Sequence, residues 1–444
     1  MTKVTFMGAG STVFAVNILG DCMLSEILYD AEFALYDIDA KRLEDSYMVL
    51  QGINERQNAG RAVLKKYLGV ENRKEALHGA NYIVNAIQVG GYKPSTVIDF
   101  EIPAKYGLKQ TIADTLGIGG IMRALRTIPV VKAFADDVEE VCPDAWFLNY
   151  VNPMGMITGY LQRYTGMKTI GLCHSVQVCT KSLLERMGME QEGVFDKIAG
   201  INHMAWLLEV RDKDGNDLYP EIRRRAAKHE GDRIIGSNGK QHSDIVRLEY
   251  VRRLGYYCTE SSEHNAEYNP WFIKPNYPEL IESVGIPINE YMRRCEEAEK
   301  RWQDRKNQMI ENSFTHERSR EYGARIMESM ESNTPYKIGG NVINHGLITN
   351  LDAKACVEVP CLVDASGIHP TYIGELPLQL AAMNMTNINV QLLTIEAAVT
   401  KKREAVYHAA MLDPHTAAVL SLDDIVKMCD ELIEAHGDYL PKFQ

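Results

Sequence analysis

Two glycines near the N-terminus have the spacing of a phosphate-binding turn. Gly8 and Gly10 directly follow a predicted buried strand, Lys3–Met7, and a predicted helix begins shortly afterwards, near Phe14. The first glycine permits a tight turn, and the second lets the backbone approach a pyrophosphate at the helix N-terminus, beside Ser11. The chemistry expected of this segment is therefore the binding of a dinucleotide.

The end of the next predicted strand, Phe33–Tyr36, supplies the acidic residue that such a site needs. A carboxylate here, with Asp37 favoured over Asp39, would accept hydrogen bonds from the adenosine ribose and disfavour a 2′-phosphate. Gln88, at the end of the third predicted strand, is placed at the same edge of the sheet. These residues predict NAD rather than NADP. Val13 replaces the third glycine of the usual fingerprint, so a plain strand-to-helix turn is the alternative.

The elements that must position these residues have a regular order. Over the first 175 residues, short apolar runs alternate with helical patterns, which is typical of a parallel sheet with helical crossovers. Further strands are predicted at Tyr82–Ile87, Trp146–Tyr150 and Thr169–Leu172. Ligands of such sheets bind beyond the carboxyl ends of the strands. Each predicted strand ends in Gly, Asp, Asn, Cys or His, so one cleft is expected to collect several polar groups.

The pattern changes after about residue 195. The later predicted elements are a β-hairpin at 207–219, amphipathic helices within 285–333, strands at Val342–Ile348 and Ala355–Val363, and one long helix at 376–412. We therefore predict an α/β fold of two closely packed domains. A Rossmann-type parallel sheet over residues 1–195 would bind the nucleotide, and an α+β domain over 196–444 would bind substrate and form oligomer contacts.

Charge and composition exclude several classes of protein. The 444 residues carry a formal net charge of −12, which is not the positive surface of a nucleic-acid-binding protein. No run approaches the roughly 20 apolar residues that span a bilayer, and the N-terminus has no apolar leader with a cleavage site. We therefore expect a cytoplasmic protein with no membrane partner. Nine irregularly spaced cysteines predict reduced thiols rather than a disulfide framework.

Short motifs spread over the whole chain resemble those of glycoside hydrolase family 4, whose members have a lactate/malate-dehydrogenase-like architecture. The motifs are Gly8–Thr12, Gln110–Gly117, Asn149–Pro153, Cys173–Val176, Gly200–His203 and Ser366–Pro370. The tetrapeptide Cys-His-Ser-Val is the most informative, because it varies with substrate within the family. It resembles the version of the α-galactosidases, whereas the 6-phosphoglycosidases carry Asp or Asn after the Cys and Pro in the fourth position.

The resemblance implies a glycosidase that depends on NAD and manganese and does not use the usual pair of carboxylates. In this chemistry the sugar is oxidised at C3, which acidifies the proton on C2. A base removes that proton, the glycosidic oxygen leaves C1, water adds, and the hydride returns to C3. Outside the glycosidases, the alternatives are a lactate/malate-type dehydrogenase and a non-catalytic NAD-binding sensor.

Cys173 and His203 resemble the metal ligands of the family. A thiolate and an imidazole would favour zinc on ligand preference alone, whereas the resemblance implies manganese. Two such ligands leave positions open for the hydroxyl groups of a sugar and for water. Without the resemblance, a buried thiol and a structural histidine would be the simpler interpretation of these two residues.

Two residues are candidates for proton transfer close to the metal ligands. Asp114 lies in the motif Gln110–Gly117 and is our first acid/base candidate, with a helix N-cap as the alternative. His174 occupies the position at which phosphosugar enzymes of the family place their Asp general acid. The resemblance therefore marks His174 as a second catalytic candidate.

The base that acts on C2 comes, in other family members, from a segment that corresponds to residues 259–268. The segment is rich in titratable side chains, and the candidates are Glu260, Glu263, His264 and Tyr268. Each of them could serve as the base, and the sequence does not distinguish among them. A solvated, charged loop would have the same composition.

Four further residues are predicted to contact the sugar. Asn149 and Asn152 follow a predicted strand, where dehydrogenase-like folds place groups near the nicotinamide and the substrate. Arg123 could bind sugar hydroxyls or a carboxylate, and a salt bridge is the alternative. His369 is a possible substrate contact, although structural packing is the simpler role.

The predicted partner is a small α-galactoside. An α-galacturonidase or an α-glucosidase of the same family is the nearest alternative, because only the Cys-His-Ser-Val tetrapeptide separates them. An anionic sugar would need a dedicated basic residue near C6, and the sequence has no cluster that marks one. The resemblance also implies a homodimer or a homotetramer.

Overall fold

The computed structural model describes residues 1–235, 241–310 and 315–444. Its strands are β1 (Lys3–Met7), β2 (Glu32–Asp37), β3 (Val63–Leu68), β4 (Tyr82–Asn85), β5 (Trp146–Asn149), β6 (Lys168–Gly171), β7 (Phe195–Ile201), β8 (Met204–Arg211), β9 (Arg233–Ile235), β10 (Gln241–Ser243), β11 (Tyr257–Cys258), β12 (Tyr336–Ile343), β13 (Cys356–Asp364) and β14 (Gly367–Pro370).

Helices connect and cover these strands. They are α1 (Thr12–Met23), α2 (Ala40–Gln57), α3 (Arg73–Leu77), α4 (Val97–Lys105), α5 (Gly117–Val141), α6 (Met154–Tyr164), α7 (His174–Arg186), α8 (Tyr219–Ala227), α9 (Ile245–Leu254), α10 (Ser262–Glu267), α11 (Glu279–Val284), α12 (Glu290–Ile310), α13 (Gly323–Ser332), α14 (Leu378–Thr400), α15 (Arg403–Leu412), α16 (Pro414–Val419) and α17 (Leu422–His436). None of these described helices combines the length and the apolar character that crossing a membrane requires.

One twelve-stranded sheet organises the described chain. Its order is β11-β8-β7-β13-β12-β6-β5-β4-β1-β2-β3, with β14 paired to β13, while β9 and β10 pair separately. Strands β3-β2-β1-β4-β5-β6 are parallel and have the order of a doubly wound dinucleotide-binding fold. The predicted fold class, a Rossmann-type sheet with a further α+β part, is confirmed. The boundary at 195/196 stays a prediction, because the sheet continues across it.

Burial explains which strands the sequence could predict. The residues of β1, β4 and β5 are almost all buried, so these strands have the continuous apolar runs of a sheet covered on both faces. The edge strand β3 was not predicted, because its exposed residues lack such a run.

The later half of the chain departs from several predictions. The strand predicted at Val342–Ile348 is wrong, since β12 runs from Tyr336 to Ile343 and ends where that prediction begins. The predicted turn around Asp214 and Gly215 is present, because Arg211 at the end of β8 forms an antiparallel bridge with Asp217, but no second strand follows, since Tyr219 begins α8. The longer hairpin of this region is β7–β8, which turns at Asn202 and His203. The long helix predicted at 376–412 is divided into α14 and α15 at Lys401, whose φ of 57° interrupts the helix.

The two halves of the sheet meet at a seam formed by β6, β12, β13 and β7. Asn341 of β12 pairs with Gly171 of β6 and with Glu358 of β13, and Glu358 pairs with Gly200 of β7. A Cβ atom at Gly171 would lie 2.8 Å from the Asn341 Cβ, so the close approach of these strands requires glycine. Gly171 and Gly200 lie just before Cys173 and His203 in the chain. The seam therefore fixes the separation of the two predicted metal ligands.

The Glu358 carboxyl group is fully buried at this seam. Its Oε1 accepts hydrogen bonds from Asn341 Nδ2 at 3.0 Å and from Asn202 Nδ2 at 3.4 Å. Burial raises the pKa of Glu358 to about 7, because these two amides compensate only part of the cost of removing the charge from water. The group is therefore protonated in the folded protein over a range of pH in which it is ionised in the unfolded chain.

This difference predicts a pH-dependent stability. Between about pH 4.5 and 7 the folded state binds more protons at Glu358 than the unfolded state, so stability falls as the pH rises, by up to about 3 kcal/mol. Glu358→Gln mimics the protonated form, so we expect the variant to lose this dependence and to melt above the wild type at pH 8. Thermal unfolding measured from pH 5 to 8 checks this.

The exposed Glu434 offers a matched control. Glu434→Gln removes the same charge without changing a buried group, and its melting profile should follow that of the wild type. A Glu358→Gln profile parallel to the wild-type profile would show that Glu358 is ionised in the folded protein throughout the range.

Candidate active site at the carboxyl ends of the strands

The turn between β1 and α1 has the predicted geometry of a phosphate-binding turn. Gly8 adopts a φ of 86°, and a Cβ atom there would lie 2.9 Å from the Ala86 carbonyl oxygen. The amides of Gly8 and Ala9 donate to the Tyr36 carbonyl at 3.0 and 2.9 Å. Ser11 precedes α1 and makes no side-chain hydrogen bond to it, so the first amides of the helix are not capped by that side chain.

Of the two acidic residues at the end of β2, Asp37 is the one that faces this turn. Its Oδ2 accepts a hydrogen bond from the Gly10 amide at 2.6 Å, and its Oδ1 accepts one from the Asp39 amide at 2.9 Å. Asp39 instead caps α2 through the amides of Lys41 and Arg42. This favours Asp37 as the ribose contact.

A second group of polar side chains lies at the ends of β6 and β11 and in the β7–β8 turn. Cys173 follows β6 and precedes α7, His203 lies in the turn of the hairpin, and Glu260 follows β11. One ligand atom from each of the three residues lies within 4.8 Å of the others. Cys173 and His203 are buried, and Glu260 is half-buried. The structure therefore brings together the two predicted metal ligands and adds a carboxylate.

The His203 ring is held on one side by hydroxyl groups. Its Nδ1 lies 3.1 Å from Thr115 Oγ1 and 3.3 Å from the Tyr268 hydroxyl, while its Nε2 lies 3.4 Å from Glu260 Oε2. The Nδ1 atom is thus engaged, and the Nε2 atom points toward the carboxylate. Tyr268 is fully buried, and burial raises its pKa well above the usual value, which suits a neutral hydroxyl that supports the histidine.

Backbone geometry places Glu260 opposite His203. Thr259 bonds twice to Ala205, since its amide donates to the Ala205 carbonyl at 2.8 Å and its hydroxyl accepts from the Ala205 amide at 3.1 Å. Both His203 and Glu260 have positive φ values, of 63° and 65°. Such conformations are costly for residues other than glycine and are concentrated at functional sites, where the surrounding structure enforces them.

The charges of this cluster shift one another's pKa values. Burial alone would lower the pKa of His203, but the Cys173 sulfur and the Glu260 carboxylate outweigh it and raise the pKa to about 10. For Glu260, burial acts in the opposite direction, and the nearby His264 and His203 hold its pKa at about 2. The site thus stabilises a carboxylate next to an imidazolium, and a divalent cation could replace that positive charge.

Asp114 and His264 face each other beside this cluster. Asp114 Oδ1 lies 3.8 Å from His264 Nε2 and accepts a hydrogen bond from Thr115 Oγ1 at 2.7 Å, while its Oδ2 accepts from Asn152 Nδ2 at 3.2 Å. Burial would raise the pKa of Asp114, but His264 and Arg123 lower it below the usual value. Asp114 therefore lies in the cleft and not at a helix N-cap, because α5 begins three residues later.

A second set of potential metal ligands overlaps with the first. Asp114, His203 and His264 also place one ligand atom each within 4.8 Å of the others. Because Nδ1 of His203 is engaged by hydroxyl groups, its Nε2 is the atom available to a metal, and Glu260 lies next to that atom. This favours the set with Cys173, His203 and Glu260.

His174 lies next to the cluster and is oriented by a carboxylate. Its Nε2 is 2.5 Å from Glu321 Oε1, and its ring contacts Phe14 and Tyr150 at centroid distances of 5.6 and 6.3 Å. The His174 side chain is 44% exposed, whereas that of Glu321 is 6% exposed. The imidazole can therefore reach a ligand while the buried partner fixes its orientation.

Two predicted substrate contacts lie in the site. The Arg123 guanidinium is buried and donates to the Asn152 carbonyl at 3.1 Å and to the Tyr291 hydroxyl at 3.3 Å. Within the described chain, no carboxylate lies within 4 Å of Arg123, so the salt bridge that we considered as the alternative is absent there. Asn152 bonds to Asp114, as described above.

The remaining predicted site residues have other partners. Asn149 is fully buried and bonds to Asn85 and Thr158, so its side chain supports the sheet. The exposed His369 bonds to Asp364 at the end of β13 and to Ser366 in the β13–β14 turn. These contacts disfavour direct substrate binding by either residue.

Two other candidates also have local partners. Glu263 accepts a hydrogen bond from Arg294 at 3.1 Å, and Gln88 donates to Thr96 at 3.3 Å. The pairing of Glu263 makes it a weaker candidate for the base than its neighbours Glu260 and His264. Gln88 keeps its predicted position after β4, at the strand end that faces the nucleotide turn.

Several functional positions escaped the sequence analysis. Thr115 lies within a quoted motif, and Glu267 lies within the segment already marked as rich in titratable residues, so the sequence signal for both was present. Glu321 and Tyr322 carried none. The Tyr322 hydroxyl accepts from the Cys173 amide at 2.6 Å and donates to the Cys173 carbonyl at 3.0 Å, across 149 residues of sequence.

The sequence as a whole matches known proteins. The model described as family 4 glycosyl hydrolase matches residues 3–190, and that of the family 4 glycosyl hydrolase C-terminal domain matches residues 198–416. The chain is 60% identical to an α-galactosidase of Bacillus subtilis (strain 168), with 100% of both chains covered. It is 32% identical to an α-galactosidase of Rhizobium meliloti (strain 1021), covering 99% of this chain and 89% of that protein.

Solved structures share the fold. A 6-phospho-α-glucosidase from gut microorganisms, in complex with NAD and glucose-6-phosphate, superposes with a TM-score of 0.82 at 22% identity over 100% of both chains. A 6-phospho-β-glucosidase from Thermotoga maritima, with manganese, NAD⁺ and glucose-6-phosphate, gives 0.78 at 21% identity over 100% of both chains.

The likeness extends, more weakly, to a dehydrogenase. Malate dehydrogenase from Plasmodium falciparum gives a TM-score of 0.50 at 14% identity, covering 91% of this chain and 100% of that one. The predicted dehydrogenase-like architecture is therefore confirmed. Because the two family models together match most of the chain, the protein is an enzyme that belongs to family 4 of the glycosyl hydrolases.

Proposed function

We propose that the protein is an α-galactosidase that requires NAD and a divalent metal ion, with manganese as the metal. The observation that carries the proposal is the meeting of Cys173, His203 and Glu260 at the strand ends, on the same edge of the sheet as the Gly8–Ser11 turn. A two-carboxylate glycosidase needs neither group. The identity with two α-galactosidases over nearly the whole chain supports the choice of sugar.

The residues fit the two cofactors. The uncapped amides of α1 and the Asp37 carboxylate suit a pyrophosphate and a ribose, and the Nε2 atom of His203 joins a sulfur and a carboxylate that suit a divalent cation. When bound, NAD would accept the hydride from C3 of the sugar, and the metal ion would act as a Lewis acid toward the oxygens on C2 and C3.

The protein's own groups would then move the protons. Asp114 and His264 lie beside the metal ligands and can reach a proton on C2, so we assign the base to this pair. His174 is exposed next to Cys173 and is oriented by Glu321, which suits transfer of a proton to the leaving oxygen. Asn152 lies at the second oxygen of Asp114, the one that does not face His264, and Arg123 bonds to Asn152. These two residues would hold sugar hydroxyls.

Arg123 also favours a second candidate, an α-galacturonidase. Its buried guanidinium has no carboxylate within 4 Å in the described residues, and such a group could pair with the carboxylate of a uronic acid. The Asp114 carboxylate already balances part of the positive charge of Arg123, because each of the two groups shifts the pKa of the other. We therefore rank the neutral galactoside first.

Hydrolysis of p-nitrophenyl α-galactoside in deuterated water tests the proposal directly. We expect activity only when NAD, manganese and a reductant are present, and we expect deuterium at C2 of the released galactose, because the C2 proton is exchanged during the reaction. Mass spectrometry of the product checks this. Cofactor-independent activity without deuterium at C2 would contradict the mechanism. A preference for the α-galacturonide would show that the substrate is a uronic acid glycoside and not a galactoside.

A substitution of the thiol tests the metal assignment. Cys173→Ser should lower kcat by roughly 100-fold or more and weaken Mn²⁺ binding, because an alcohol does not ionise as a thiol does. The affinity for NAD should stay within about twofold, since Asp37 ends β2 and Gly10 lies in the β1–α1 turn, away from Cys173. Steady-state kinetics and calorimetric titration with Mn²⁺ and NAD measure the three quantities.

Cys179→Ser is the matched control, because Cys179 is a buried thiol of α7, the helix that Cys173 directly precedes, and belongs to neither candidate ligand set. This variant should keep turnover within about threefold, apart from any change in stability. Near-wild-type turnover of Cys173→Ser with manganese would remove Cys173 from the metal site.

A further inference from the structure

The Glu267 carboxylate lies at the end of α10 and is almost completely buried. Its oxygens accept hydrogen bonds from three successive backbone amides, those of Thr111 at 2.7 Å, Ile112 at 3.3 Å and Ala113 at 2.8 Å. Within the described residues, no lysine, arginine or histidine side chain lies within 4 Å of this carboxylate. Its partners are therefore the amides of the loop that leads to Asp114.

This contact fixes the conformation of that loop. Three amides can point at one carboxylate only if the backbone curves around it, and Ala113 adopts a φ of 52° at the end of the curve. The start of α12 holds the other side of the loop, because the Asn289 amide donates to the Gln110 carbonyl at 2.9 Å and the Tyr291 amide to the Thr111 carbonyl at 3.0 Å. Glu267 thus contributes the contacts that directly precede Asp114 and Thr115.

Thr115 connects this loop to His203. A threonine hydroxyl carries one proton, and Thr115 Oγ1 donates it to Asp114 Oδ1 at 2.7 Å. For the 3.1 Å contact to the Nδ1 atom of His203 to be a hydrogen bond, Nδ1 must therefore donate its proton to Thr115, and the Tyr268 hydroxyl, 3.3 Å from Nδ1, can accept a share of the same proton. This arrangement places the remaining lone pair of a neutral His203 on Nε2, the atom next to Glu260.

We propose that Glu267 is a positioning residue for the metal site: by holding the amides of residues 111–113, it sets Thr115 against His203 and so determines how tightly Mn²⁺ binds. Partners that orient a ligating histidine are typically worth 10–100-fold in metal affinity. The inference depends on the proposed function only for the presence of the metal.

A double-mutant cycle on metal binding tests this connection. Mn²⁺ affinity is measured by calorimetry and electron paramagnetic resonance for Glu267→Gln, Thr115→Val and the double variant. We expect each single variant to bind Mn²⁺ roughly 10–100-fold more weakly. The double variant should be no weaker than the weaker single variant, because both changes remove the same support of His203.

The NAD affinity of all three variants should stay within about twofold of the wild type. Glu263→Gln, on the same helix, is the control, because the Glu263 side chain pairs with Arg294, while its contact with the loop is made by its backbone carbonyl, which the substitution keeps. It should bind Mn²⁺ like the wild type. Wild-type affinity in Glu267→Gln, or full additivity of the two single effects, would overturn the inference.

Hydrogen exchange of the metal-free protein tests the positioning role without the metal. In Glu267→Gln, the amides of residues 111–113 should exchange at least tenfold faster, while peptides from β1 and β5 should keep wild-type rates, which shows that the variant is folded. Unchanged exchange at 111–113 would overturn the inference. If the wild type binds no Mn²⁺, the proposed function loses its metal, and the exchange result alone decides the role of Glu267.

Discussion

The orientation of one imidazole governs the rest of the site. His203 lies in the tight turn of the β7–β8 hairpin with a positive φ, and two hydroxyl groups from distant segments hold its Nδ1 atom. Its Nε2 atom is thereby directed toward Glu260 and Cys173. Any segment that contacts Thr115 or Tyr268 therefore influences the site, which explains why residues 110–116 and 262–268 are tied together so closely.

The mixed sheet is the second constraint. A parallel nucleotide-binding sheet alone would bring β1, β4, β5 and β6 to one edge, but it would not supply His203 or Glu260. The seam through Asn341 and Glu358 joins the antiparallel strands to β6 in one sheet. Because β-strand spacing is fixed at about 4.8 Å, this junction determines how far Cys173 lies from the hairpin turn. The two halves therefore contribute jointly to the proposed metal site.

The sequence predicted the parts of this arrangement that depend on local patterns. Continuous apolar runs revealed the parallel strands other than β3, and the residues at their ends, including Asp37 and Cys173, were identified because such ends must face a cleft. Asp114 and His203 were assigned through motifs.

The parts that depend on long-range contacts were not predictable in this way. The bonds of Tyr322 to the Cys173 backbone and of Glu321 to His174 each join residues more than 140 positions apart. No local motif or hydrophobic periodicity marks either contact in the sequence. Glu263 and Glu267 are both glutamates of one short helix, yet one pairs with Arg294 and the other with backbone amides. Only the packing of α10 against the loop decides which of them supports the site.

The state of the carboxylates supports chemistry by oxidation and elimination over the two-carboxylate route. That route needs one carboxylic acid that holds a proton near neutral pH and a second carboxylate across the sugar ring. Here the neighbouring histidines hold the pKa of Glu260 at about 2, and His264 and Arg123 lower that of Asp114. Burial raises the pKa of Glu267 to about 7, but both of its oxygens are bonded to the backbone amides of Thr111 and Ala113. No carboxyl group among these three is placed to deliver a proton to a glycosidic oxygen. In the elimination route, loss of the C2 proton already weakens the bond between C1 and the glycosidic oxygen, so only a weak proton donor is needed. His174 can donate that proton to the leaving oxygen.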